Sequence, residues 1–123
     1  MRWLNIKKKI ISLCLLGLAT FGGINVFAAS SVSTNCSLKG WYTSGSQYYA
    51  EATTKAPSNG LKKISVYLSS DNGHTSSNYQ NNPNSGNTTF TQLNKSGASR
   101  VFSDHIWNYT NSNEEITKSI YLD

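Results

Sequence analysis

From Gln47 to Ser69 apolar and polar residues take turns along the chain, broken once by Ala56-Pro57-Ser58-Asn59-Gly60. Tyr48, Ala50, Ala52 and Thr54 share one parity before the break, and Ile64, Val66 and Leu68 share one parity after it. A period of two belongs to a strand with one face buried, whereas a helix would repeat at 3.6. Two strands are therefore predicted, over 47–55 and 61–69, and the rest of the chain is expected to cover or extend them.

Residues 1–28 have the three parts of an export signal: basic Arg2, Lys7, Lys8 and Lys9, an apolar run from Ile10 to Leu18, and small residues ending in Val26-Phe27-Ala28. Cleavage is expected after Ala28. An uncleaved anchor fits less well, because Gly22, Gly23 and Asn25 break the run before the roughly 18 to 20 apolar residues that a spanning helix needs. Cys14 lies inside the apolar run, not after a small residue at its end, so no lipid anchor is expected. The expectation is one secreted, extracellular domain over 29–123 that does not span a membrane after cleavage.

The charge argument changes once the signal is set aside. The whole chain is +5, but four of its eleven basic residues lie in 1–28 and all six acidic ones lie beyond it, which leaves 29–123 at +1. The basic character belongs mostly to the export signal and gives no warrant for a nucleic-acid partner. A domain of this size buries only somewhat more than ~60% of its unfolded surface, and secreted domains so small often rely on disulfides. Only Cys36 remains after the signal, so an internal bridge is excluded; it is read as a buried, inert thiol.

Ser, Thr and Asn supply 40 of residues 29–123, aromatics supply 11, and charges are sparse. Such a composition favours turns and strands over helices. An all-β fold is predicted: a small antiparallel β-sandwich, or a small barrel, of about six strands. The first strand is read over Val32–Tyr42, with Thr43-Ser44-Gly45 as a three-residue hairpin loop that would pair Gly40 with Tyr48 and Leu38 with Ala50. The first three strands would form a meander unless one crosses to a second sheet. Residues 70–89 are read as a long polar loop, with room for a short strand near Tyr79. A short strand is centred on Phe90. A longer one follows from Gly97 to Tyr109, read as buried on both sides or bulged near Ser103, and a last strand runs from Glu114 to Leu122.

The supply of catalytic groups is thin. Asp104-His105 invites a triad with one of the many serines, but adjacent strand residues point to opposite faces, so Asp104 could not orient His105 without a bulge. No Gly-x-Ser-x-Gly elbow occurs after the signal. His105 is read as a hydrogen-bonded histidine at a strand rim. With two histidines and one cysteine in no recognisable ligand spacing, neither a metal nor another cofactor is expected. Asp71-Asn72-Gly73-His74 reads as a turn, not a calcium loop. Of the acids only Glu51 and Asp104 are placed within strands, which gives little support to a paired-carboxylate glycosidase. The protein is expected not to be an enzyme.

The more informative constellation is aromatic. Trp41, Tyr49 and Tyr67 fall on outward positions of the first three strands, where polar residues are the rule. Rings on an open sheet face can stack on sugars or seat against a protein. These three residues are the candidate ligand-binding site, with a cell-wall or surface glycan or protein as the candidate partner. In size, signal and Ser/Asn/Tyr-rich composition the chain is similar to small exported β-rich proteins of Gram-positive bacteria, among them the lactococcin 972-type bacteriocins. That resemblance is one of kind and assigns no residues. It suggests, as the alternative to a binding domain, an antagonistic protein acting on the envelope of related bacteria.

Overall fold

The computed structural model describes residues 33–123, so the export signal read over 1–28 lies outside the described residues. After a short 3₁₀ turn, Ser33–Asn35, come seven strands: β1 (Cys36–Ser44), β2 (Gln47–Lys55), β3 (Lys63–Ser70), β4 (Thr75–Asn81), β5 (Thr88–Ser96), β6 (Arg100–Asn108) and β7 (Asn113–Tyr121). All pairings are antiparallel. They form a three-stranded sheet in the order β1-β2-β5 and a four-stranded sheet in the order β4-β3-β6-β7. The fold is all-β, a small sandwich and not a closed barrel. Among the described residues no helix is long and apolar enough to cross a membrane.

The meander expectation is corrected at Ala56–Lys62, where the chain leaves the first sheet and enters the second. The crossing is held by backbone hydrogen bonds, Ala56 N–H to Asn87 O at 2.8 Å and Lys62 N–H to Asn108 O at 2.8 Å. The indole of Trp107 donates to Lys55 O across the layers at 2.8 Å. A second correction concerns 70–89, which contains the full strand β4 paired along β3 from Lys63↔Asn81 to Ser69↔Thr75. Its sequence, TSSNYQN, has no aliphatic residue because β4 is an edge strand with mostly exposed side chains. Polar side chains stitch it to β5 on the other layer, Ser76 Oγ to Thr91 Oγ1 at 2.5 Å and Asn78 Nδ2 to Phe90 O at 3.0 Å.

The first hairpin keeps the expected faces but not the expected partners. Tyr42 pairs with Tyr48, Gly40 with Ala50, Leu38 with Ala52 and Cys36 with Thr54, and the register shifts between Tyr42 and Ser44. The loop is two residues long with Gly45 at φ +59°, a left-handed value that suits glycine. The extra residue before it is absorbed as a bulge, which slides the pairing by two and so preserves which side chains face inward. Gly40 is consequently covered by Leu122 instead of Tyr48. A Cβ at Gly40 would sit 2.9 Å from Leu122 Cδ2 and 3.2 Å from Tyr49 O.

Inward residues from both sheets form two apolar groups. One contains Tyr48, Ala50, Ala52, Val66, Leu68, Leu93, Ala98, Val101 and Leu122; the other contains Ala56, Leu61, Ile64 and Trp107, with Cys36, Tyr109 and Ile116 against it. Burial pushes the Cys36 thiol up to about 11, so little reactive thiolate forms at neutral pH. β6 alternates regularly and has no bulge: Val101, Ser103, His105 and Trp107 are buried while Phe102, Asp104, Ile106 and Asn108 are only partly covered. His105 is therefore not at a strand rim but fully enclosed.

Both imidazole nitrogens are satisfied by hydroxyls: Nδ1 lies 2.8 Å from Thr54 Oγ1 and Nε2 lies 2.7 Å from Ser103 Oγ. Thr54 gives its one hydroxyl proton to Ser65 O at 2.9 Å. Thr54 must therefore accept from Nδ1–H, which leaves Nε2 to accept from Ser103. The ring is neutral, and burial, reinforced by the charge of Lys118, pushes its pKa down to about 3.

Two stability predictions follow from this packing. Gly40→Ala should cost about 1–3 kcal/mol in urea unfolding, and measurably less in a Leu122→Ala background, because the clash is mainly with Leu122. His105 binds its proton near pH 6.5 in the unfolded chain but only near pH 3 when folded. Its contribution is therefore complete above pH 6.5 and is lost as the pH falls, at up to about 1.4 kcal/mol per pH unit. Subtracting the pH profile of a His105→Gln variant from that of the parent should expose this slope between pH 6.5 and 5; parallel profiles would contradict a buried neutral imidazole.

Candidate functional site

The ring positions read from the sequence are divided between the two outer faces of the sandwich. Trp41 and Tyr49 are opposite each other on β1 and β2 of the three-stranded sheet, with ring centroids 5.1 Å apart and planes at 46°. The Tyr49 hydroxyl lies 2.9 Å from Glu51 Oε1 and 3.0 Å from Gln92 Oε1, two acceptors for its single proton. Desolvation, then the hydrogen bond and charge of Glu51, push this phenol up from its ordinary value. Tyr67 belongs to β3 and lies on the far side of the molecule, on the outer face of the four-stranded sheet. The structure thus brings Trp41 and Tyr49 together and separates Tyr67 from both.

Around Tyr67 the ladders assemble a larger aromatic surface that sequence reasoning missed. In one cross-strand row stand Tyr79, Ser65, Ile106 and Glu115; in the next, Ser77, Tyr67, Asp104 and Thr117; in a third, Thr75, Ser69, Phe102 and Ser119; and beyond these Arg100 pairs with Tyr121. Tyr79, Tyr67, Phe102 and Tyr121 each sit one strand and one row further than the last, so four rings trace a diagonal across β4, β3, β6 and β7. Diagonal neighbours on a sheet lie about 7–8 Å apart, within reach of large side chains. Tyr67, Tyr79 and Tyr121 are 48%, 61% and 71% exposed.

Cations brace the two ends of this diagonal. Lys63 Nζ stands 5.4 Å from the Tyr79 ring centre, and the Arg100 guanidinium lies 5.1 Å from that of Phe102 and 4.9 Å from that of Tyr121. Arg100 Nη2 also donates to Ser119 Oγ at 3.0 Å. Cation–ring contacts of this kind hold the rings in place as much as they hold the cation.

Beside Tyr67 lies a carboxyl pair. Asp104 is directly opposite Tyr67 on β6, and Glu115 is its diagonal neighbour on β7. Burial, then the hydrogen bond and charge of Glu115, push Asp104 well above the ordinary carboxyl range. Asp104 Oδ1 is buried with no hydrogen-bond partner, which adds to the cost of ionising this group. Asp104 is accordingly harder to ionise than an ordinary carboxyl. Carboxyls in hydrogen-bond contact leave no room for a scissile bond; glycoside cleavage needs them about 5–5.5 Å or 6.5–9.5 Å apart. Glu114 and Glu115 also lie within a strand, β7, which corrects the expectation that only Glu51 and Asp104 do, and Glu51 is on the opposite face of the molecule.

The Ser103–His105 contact has the spacing of a nucleophile and its base, but His105 is 0% and Ser103 2% exposed, and the other ring nitrogen meets Thr54 in place of a carboxylate. Asp104 points to the outer face, away from both. Among the described residues no three His, Cys, Asp or Glu side chains gather as metal ligands. Two surface depressions are open hollows. One, of ≈ 140 Å³, is bordered by Cys36 and Thr53, and the other, of ≈ 420 Å³, by Lys63 and Asn108.

Compared with protein-family models, with curated proteins and with solved structures, the chain matches none.

The upward shift of Asp104 has a measurable sign. Because the folded pKa of Asp104 lies above its unfolded value, the stability it contributes is complete below the ordinary carboxyl pKa and is lost as pH rises through the folded one. Asp104→Asn keeps a hydrogen-bond donor and cannot ionise. Denaturant unfolding across this range should show the parent losing stability relative to the variant as pH rises; a constant difference would contradict the upward shift of Asp104.

Proposed function

We propose that the protein is a small exported, non-enzymatic β-sandwich domain that binds a ligand at a cell surface or in the extracellular medium through its aromatic outer sheet faces. The observation that carries this reading is the exposure of rings at outward strand positions in a chain otherwise coated with Ser, Thr and Asn: Trp41, Tyr67, Tyr79, Phe90 and Tyr121 are each at least 42% exposed. Large rigid side chains left in water are costly unless something covers them, and contiguous apolar surface on a small domain is the usual mark of a contact site. The signal-like composition of 1–28 supports export. The near-neutral charge of 29–123 supports a ligand other than nucleic acid.

Binding to whole Gram-positive cells and to their isolated walls, followed by cosedimentation, tests the reading. Two double variants should divide the faces, Trp41→Ser with Tyr49→Ser on one sheet and Tyr67→Ser with Tyr79→Ser on the other. At least one should lose about tenfold or more in affinity while unfolding at the same denaturant concentration as the parent. If both bind like the parent, the aromatic faces are not the site. Killing of the cells by the parent protein would instead support the antagonist reading.

A further inference from the structure

We infer that the outer face of the four-stranded sheet takes an extended, uncharged polysaccharide laid along the Tyr79–Tyr67–Phe102–Tyr121 diagonal. This rests on the binding reading above and names the ligand and the face.

The shape of the surface selects an extended ligand. The rings follow one course over four strands at sheet-diagonal steps, and the hollow bordered by Lys63 at the Tyr79 end is open and does not enclose a compact molecule. The alternation of chemistry selects a sugar chain. Hydroxyls of Ser77, Ser69 and Ser119 stand between successive rings, so the face presents apolar and hydrogen-bonding positions in turn. A pyranose offers the same pair, a C–H face that stacks on a ring and a rim of hydroxyls. A protein hot spot would instead call for a continuous apolar centre.

Charge selects a neutral chain. The cations on this face, Lys63 and Arg100, are held over the rings, and Arg100 is further tied to Ser119, so neither is presented as an open anion site. Asp104 flanks the diagonal between Tyr67 and Phe102 and Glu115 lies beyond it on β7, an acidic margin that would repel a polyanion.

The test is an amide-resolved NMR titration of protein purified from cells expressing the full chain. The probes are dimers and hexamers of β-1,4-linked glucose and of β-1,4-linked N-acetylglucosamine, with the coiled α-1,4-linked glucose hexamer as the bent control. A straight hexamer should move signals flanking Tyr79, Tyr67, Phe102 and Tyr121 and bind at least about tenfold more tightly than its dimer, as successive rings are engaged. Tyr67→Ala should weaken the hexamer about tenfold and Tyr67→Phe should restore it, since the ring and not the hydroxyl stacks. Tyr121→Ala, at the sheet edge, gives the same reading should Tyr67→Ala fail to fold.

Shifts confined to strands around Trp41 and Tyr49 would overturn this inference while leaving the binding function standing. So would preference for the bent hexamer, or parent-like affinity in both alanine variants. Absence of binding by every sugar overturns the polysaccharide; retained cosedimentation with walls would then point to a protein partner, and loss of both would remove the binding reading as well.

Discussion

The sandwich depends on a neutral imidazole buried where its two layers meet. Through Thr54 and Ser103, His105 links β2 of one sheet to β6 of the other, and Thr54 passes the chain of hydrogen bonds on to the β3 backbone. On either side of this polar seam lie the two apolar groups, with Trp107 stacked 6.4 Å from the imidazole. A buried polar group without partners costs free energy, so the seam tolerates only the arrangement in which all its donors and acceptors are matched. An apolar layer would accept a slide of one sheet over the other more readily than this one does.

The same seam removes the most tempting catalytic pair from use. Ser103 and His105 are two apart on one strand, so they face the same way, and the way they face is inward. Asp104 between them faces outward, where it meets Glu115 on the neighbouring strand. Strand parity thus divides three consecutive residues that look like parts of one site into a core contact and a surface pair with different chemistry. The interior is left neutral and closed, and the titrating pair is moved to an exposed face.

The aromatic residues show how sheet pairing creates a surface. Tyr79, Tyr67, Phe102 and Tyr121 come from four strands and are spread over more than forty residues of chain, yet the ladders align them because each is displaced by one row from the next. Lys63 and Arg100 brace the ends. Trp41 and Tyr49 need no such assembly, being partners in one hairpin.

Much of the fold was legible because a strand advertises its faces locally. The parity of Tyr48, Ala50, Ala52 and Thr54, and of Ile64, Val66 and Leu68, separates inside from outside with no knowledge of neighbours, and it survived a two-residue slip in hairpin register. Where parity was blurred, reading failed for definite reasons. Ser103 and His105 hid the inward face of β6 because inward polar residues break the expected pattern. β4 passed for a loop because an edge strand can be polar on both faces. By itself the sequence determined the all-β class and the outward positions of Trp41, Tyr49 and Tyr67. Only the tertiary structure decided which rings share a face, because that depends on β3 crossing to the second sheet and on which strands pair, choices set by contacts between residues far apart in the chain.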